Sequence, residues 1–179
     1  TRKESSAASD VYKRQETINA IRRMNPNTTL ETLIPDFKGN EKSLNRIVKV
    51  HPEIVSHNVE TVSRLTREVR IQAKYDQSLE VLMYLKQQGV RRTKSGIMLG
   101  LGETEEEVIE TLHDLRMAEV DVVTIGQYLQ PTKKHLGVKQ FILPEQFDRY
   151  EAIGKDLGFR HVESGPLVRS SYKAHKHID

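Results

Sequence analysis

Apolar positions along the chain alternate between two periods. Tyr75 to Gln88 sets Leu79, Leu82 and Leu85, with Val81, at helical spacing, and Gly89 supplies the stop. Thr104 to Ala118 repeats the pattern with Val108, Leu112 and Leu115. Pro144 opens a third such stretch, whose inward positions are Phe147, Tyr150, Ile153 and Leu157, and Gly158 ends it. Between these helices lie short apolar runs that suit strands buried on both faces. Gly96 to Leu101 carries no charge, and Val120 to Ile125 is rich in β-branched residues. Thr28 to Ile34, Ile54 to Ser56 and Arg160 to Glu163 predict three further strands, and Asn40 can cap a helix carrying Leu44, Ile47 and Val48. Strand and helix alternate at intervals of about 25 to 35 residues, the size of a βα unit. The pattern predicts an α/β fold with a parallel sheet, about four βα units and a polar C-terminal tail.

The organisation expected is a leader over 1–15, a partial (β/α) barrel over 16–165 and a tail over 166–179. The leader, TRKESSAASDVYKRQ, has no sustained period and predicts disorder or a frayed helix. It also resembles a translated sequencing adapter, so it is set apart from the fold as foreign.

Composition narrows the function classes. The chain has 179 residues, enough for one domain with a core; hydrophobic residues make up 36% and charged residues 30%. No apolar run approaches the roughly 20 residues of a membrane span. The net charge of +3 comes without the aromatic interleaving of a nucleic-acid platform, so neither membrane nor nucleic acid is expected as a partner. Cysteine is absent, which excludes disulfides, thiol catalysis and a cysteine-held metal site within these residues.

Candidate chemistry gathers where the strands end. Gly100-Leu101-Gly102-Glu103 breaks the central strand, and Thr104 with Glu107 forms a capping box for the following helix. The spacing is neither G-x-G-x-x-G nor a P-loop. Carboxyl ends of successive strands carry Asp36, His57-Asn58-Val59-Glu60, Lys94 with Met98, and Gln127-Tyr128. In a parallel sheet these converge on one rim, where ligands bind. Glu60 can hold a ribose diol or an ammonium group, and Asn58 offers both donor and acceptor. Taken singly, each also fits a loop or cap residue. Lys94 sits early in its strand and needs a partner if buried. His175 and His177 read as part of a flexible tail rather than as metal ligands.

Several blocks together resemble lipoyl synthase: TTLETLIPDFKGN, VSHNVETV, RTKSGIMLGLGETEEEV, VTIGQYLQPTKKHL and GFRHVESGPLVRSSYKA. The resemblance runs from about Glu16 to about Lys176 and is most specific in the RSSY tail. It implies a partial parallel (β/α) barrel of radical S-adenosylmethionine type and the insertion of two sulfur atoms into a protein-bound octanoyl chain. The cofactors implied are S-adenosylmethionine and two 4Fe–4S clusters. The expected partners are an octanoylated lipoyl-carrier domain or glycine-cleavage H protein, and an iron–sulfur carrier protein. The compartment is the bacterial cytoplasm, or the mitochondrion or plastid of a eukaryote.

Residue by residue, the resemblance assigns Ser170 as the oxygen ligand of one cluster. It assigns Asn58 and Glu60 to the S-adenosylmethionine pocket, with Lys94, Met98, Gln127 and Tyr128 beside them, and the glycine turn lining the same pocket. Arg169 would hold negative charge nearby. The family's cysteine motifs have no counterpart here, so the chain matches the C-terminal part of the enzyme, and neither cluster nor activity is expected of it alone. Two other readings remain: a cluster-free adaptor for a carrier protein or partner enzyme, and a phosphate-binding barrel portion.

Overall fold

The computed structural model describes residues 2–178, with side chains from Asp10 onward. In chain order the elements are α1 (Arg2–Met24), β1 (Glu31–Leu33), α2 (Glu41–Val48), β2 (Ile54–Ser56), α3 (Thr66–Val69), α4 (Tyr75–Gln87), β3 (Arg92–Leu99), α5 (Glu105–Met117), β4 (Val122–Gln127), α6 (Pro144–Asp156) and β5 (His161–Gly165). All strand pairs are parallel, and the strand order is β1-β2-β3-β4-β5. Each crossover passes through helix and returns to the neighbouring position, which is the winding of a partial barrel.

The sheet has two chemically distinct faces, and the register assigns them. Leu33, Ser56, Lys94, Val122 and His161 share one row across the five strands. By the two-residue period, Gly96, Met98, Thr124, Gly126 and Glu163 lie on that same inner face. The outer face carries Val55, Ile97, Leu99, Val123, Ile125 and Val162, all buried. Against it α4, α5 and α6 lay Leu82, Leu112, Leu115, Phe147 and Tyr150 as one core. A second core sits under β1 and β2 and joins Val11, Phe37, Leu44, Ile47, Val81 and Leu85.

The predicted helix ends hold. Thr104 Oγ1 accepts from Glu107 N at 3.3 Å while the Glu107 carboxylate accepts from Thr104 N at 2.8 Å. Asn40 Oδ1 accepts from Ser43 N at 3.1 Å at the start of α2. The leader, expected as disorder or a frayed helix, is helical from Arg2 as the first part of α1, and its Val11 is fully buried in the second core. The strand predicted over 28–34 is only three residues long, Glu31–Leu33, bracketed by Ile54 N donating to Leu30 O at 3.1 Å and Ile34 N donating to Ser56 O at 2.9 Å.

The tail departs most from expectation. Rather than flexing free, residues 166–178 fold back across the inner face and end in a 3₁₀ turn, Ala174–Ile178. Val168 O stands 2.3 Å from where a Gly126 Cβ would lie, so only glycine lets the two backbones meet. His177 is fully buried at the foot of the sheet.

Candidate functional site

Asn58 and Glu60 extend β2 beyond its last paired residue. The chain alternates there, so His57 and Val59 point to the helices and Asn58 and Glu60 point inward. His57 Nδ1 lies 3.0 Å from Ile34 O and Nε2 lies 3.0 Å from Ser78 Oγ, and burial lowers its pKa; it is a core residue. Glu60 has φ +68°, a left-handed conformation that a side chain rarely adopts. It is held there by the sheet: Glu60 N donates to Gly96 O at 2.9 Å and Met98 N donates to Glu60 O at 2.8 Å. Strain kept by a rigid frame is a mark of functional positions.

Asn58, Glu60, Met98, Gln127 and Ser170 line one cavity of about 530 Å³, with Gly96, Thr124 and Gly126 among its other lining residues and Leu33 and Leu129 giving apolar walls. Burial raises the Glu60 pKa above the ordinary carboxylate range, and the Asn58 amide donor and the Arg70 charge pull it partly back. Asn58 Oδ1 is buried and has no donor. A partly desolvated carboxylate beside an acceptor without a donor suits a ligand bearing an ammonium group. S-adenosylmethionine carries such a group, and the cavity fits it. A 4Fe–4S cluster does not fit these residues by themselves, because Ser170 is one oxygen donor and no thiolate exists in the chain.

Three of the predicted positions work differently from the pocket role assigned to them. The Gln127 side chain points outward and is fully engaged. Its Nε2 donates to Leu99 O, Tyr128 O and Gln140 O at 3.0–3.1 Å, and its Oε1 accepts from Ile142 N at 2.9 Å. It reaches the cavity through its backbone, whose oxygen accepts from Arg169 at 3.4 Å. Tyr128 lies outside the cavity, packed in the helix-side core with its hydroxyl donating to Leu136 O at 2.8 Å. The glycine turn is also closed on itself: the Glu103 carboxylate accepts from Gly100 N at 2.5 Å and Leu101 N at 2.9 Å. Its outer side is filled by the 139–140 segment rather than facing the cavity.

Lys94 lies on the inner face but beneath the cavity. Its side chain is fully buried and paired with Glu31 at 3.0 Å. The same ammonium donates to the backbone oxygen of Ser170 and meets His177 Nδ1 at 3.2 Å. Burial and then the Lys94 charge lower the His177 pKa to about 4. The partner demanded by a buried lysine therefore comes from Glu31 and the tail, and Lys94 secures the Ser170 corner from below. Period-two counting along β1 and β3 puts Glu31 and Lys94 on one face, a signal that could have paired them in advance. No such signal marks His177.

A singly wound parallel sheet with its polar groups inside and its ligand cavity at the carboxyl ends defines a barrel-type binding protein. The Radical SAM superfamily model matches residues 4–115, and the chain belongs to that superfamily. Among curated proteins, lipoyl synthase of Flavobacterium psychrophilum is 77% identical over 163 residues, covering 91% of this chain and 56% of the relative. The mitochondrial lipoyl synthase of Nematostella vectensis matches equally, at 77% over 163 residues with the same coverage, 91% and 56%. That of Chlorobaculum tepidum is 56% identical over 159 residues, covering 89% and 55%. The chain thus spans somewhat over half the length of these relatives. Among solved structures, the crystal structure of methylornithine synthase superposes with a TM-score of 0.61 at 17% identity, over 90% of this chain and 55% of that one, a likeness of fold.

Proposed function

We propose that this chain forms the S-adenosylmethionine pocket and the serine-bearing tail of a lipoyl synthase. The observation that carries the reading is the meeting of Asn58, Glu60 and Ser170 on one cavity. Identity of 77% to lipoyl synthases supports it. In this reading the Glu60 carboxylate and Asn58 Oδ1 hold the cofactor's ammonium group. Gly96 leaves room for it, since a Cβ there would fall 2.7 Å from Thr124 Oγ1 and 3.2 Å from Asn58 Oδ1. Leu33 and Leu129 form the apolar wall along which an octanoyl chain lies.

S-adenosylmethionine, if bound here, would supply radical chemistry, given an electron from a cluster that these residues do not hold. The residues present orient that ligand, keep the cavity floor dry through the tail and place Ser170 at the rim. Cluster thiolates come from cysteines that these 179 residues do not contain. The reaction read for the whole enzyme is insertion of two sulfur atoms into an octanoyl chain on a carrier domain or the glycine-cleavage H protein, with an iron–sulfur carrier protein as a further partner. The compartment is the bacterial cytoplasm or an organelle matrix. Among the described residues no helix is long and apolar enough to cross a membrane.

Calorimetric titration with S-adenosylmethionine tests the pocket. We expect saturable binding, weakened at least tenfold in Glu60→Gln, which follows from losing a charge-assisted hydrogen bond of about 1.5–3 kcal/mol. Equal affinity of the variant and the parent chain overturns the reading.

A further inference from the structure

The segment after β4 meets the cavity only at its root, Leu129–Pro131. From Tyr128 to Leu143 there is no acidic residue, whereas Lys133, Lys134 and Lys139 are exposed. Among the described residues none of these three lysines is in a salt bridge. The same segment carries exposed apolar side chains, Leu129 at 51% and Leu136 at 37% exposure. A solvated loop would ordinarily mix charges and hide its aliphatic groups.

The segment has no regular structure, yet it is fixed. Gln127 ties down Gln140 and Ile142. The Tyr128 hydroxyl holds Leu136 O at 2.8 Å, and Gln130 Nε2 holds His135 O at 2.8 Å. Gly100 O accepts from both Lys139 N and Gln140 N. A surface already ordered loses little entropy on binding. Its root, Leu129–Pro131, is part of the cavity wall, so whatever docks on it stands at the cavity mouth.

We propose that the 129–139 segment docks the protein that delivers the acyl chain, through an acidic face on that protein. Charge complementarity to three lysines that make no salt bridge among the described residues selects the sign. Leu129 and Leu136 supply the apolar contact that a purely ionic encounter lacks. This inference rests on the reading of the cavity as the acyl-processing site. It adds which surface recognises the carrier and by what chemistry.

The experiment titrates the full chain with an octanoylated lipoyl-carrier domain, at low and at moderate salt, and separately with S-adenosylmethionine. The variant pairs Lys133→Glu with Lys134→Glu, two exposed positions that leave the core intact. Carrier binding is expected to weaken at least tenfold in the variant and to weaken with salt in the parent chain, with S-adenosylmethionine affinity unchanged. Carrier affinity that ignores both salt and charge reversal overturns the proposal, as does an absence of carrier binding while S-adenosylmethionine still binds. Preferential binding of single-stranded RNA or anionic vesicles through the same lysines also overturns it. Loss of S-adenosylmethionine binding with salt-sensitive carrier docking intact would instead sink the cavity reading and leave the docking surface standing.

Discussion

The two faces of one sheet divide this molecule's work. On the outer face, Val55, Ile97, Leu99, Val123 and Ile125 pack against helices, and the polar groups there, His57 and Gln127, are fully hydrogen-bonded. On the inner face, Glu31, Ser56, Asn58, Lys94, Thr124, His161 and Glu163 are polar or charged, and Asn58 Oδ1 and His161 Nε2 lack partners. Neighbouring residues of one strand thus do opposite jobs. Function follows the face on which a residue falls more than its nearness to a conspicuous motif. The glycine turn, prominent in the sequence, only shapes the loop, whereas Glu60, with no motif of its own, stands strained in the cavity.

The sharpest contrast pairs Leu112→Ala with Lys94→Met. Both side chains are fully buried, one on each side of the sheet. Leu112→Ala should cost about 2–5 kcal/mol of unfolding free energy by leaving a cavity. Lys94→Met leaves Glu31 without its cation but with the Ser56 hydroxyl at 2.6 Å, and because Glu31 is partly exposed we expect the lower end of the cost of breaking a buried ion pair, about 3 kcal/mol. Chemical denaturation measures both. Hydrogen exchange then separates them, because Lys94→Met alone should speed exchange in residues 168–178 relative to β4. Equal protection of the tail in the two variants would remove Lys94 from its seating role.

Next in size is Gly126→Ala. Its methyl group would press on Val168 O, and overpacking of this kind costs about 1–3 kcal/mol. The tail should lift while the outer core keeps its protection.

The inner face also gives a pH signature. His177 in the folded chain has its pKa lowered to about 4, against an ordinary 6.5, so between those values the unfolded chain binds more protons. Its contribution is present above about pH 6.5 and is lost as pH falls towards about 4. Stability of the parent chain should therefore drop across that window more steeply than in His177→Gln, as followed by denaturant midpoints. Parallel pH profiles would show that His177 titrates normally.

The smallest effect belongs to the scaffold. Thr104→Ala removes the α5 cap and should cost about 1 kcal/mol, with ligand binding unchanged.

Much of this division was legible beforehand. Period-3.6 runs gave α4, α5 and α6 to within a residue or two, since Leu82, Leu85, Leu112 and Leu115 are both strongly periodic and fully buried. The rim position of Asn58 and Glu60 was also foreseeable from the strand end. Gln127 and Tyr128 misled because a strand end offers both faces, and the register that chooses between them depends on pairing with β3. The packed tail was not legible. Its polar sequence suits solvent, and it is ordered only because Lys94, Gly126 and Glu163 on distant strands receive it.

On this division of labour we expect the inner face to bind the ligand and the outer face only to support it. Equilibrium dialysis with labelled S-adenosylmethionine against Asn58→Ala and Tyr128→Phe tests it most directly. Tenfold or greater loss in Asn58→Ala, with Tyr128→Phe binding as the parent does, is the expected result. The reverse ranking, or an equal loss in both, would contradict the account.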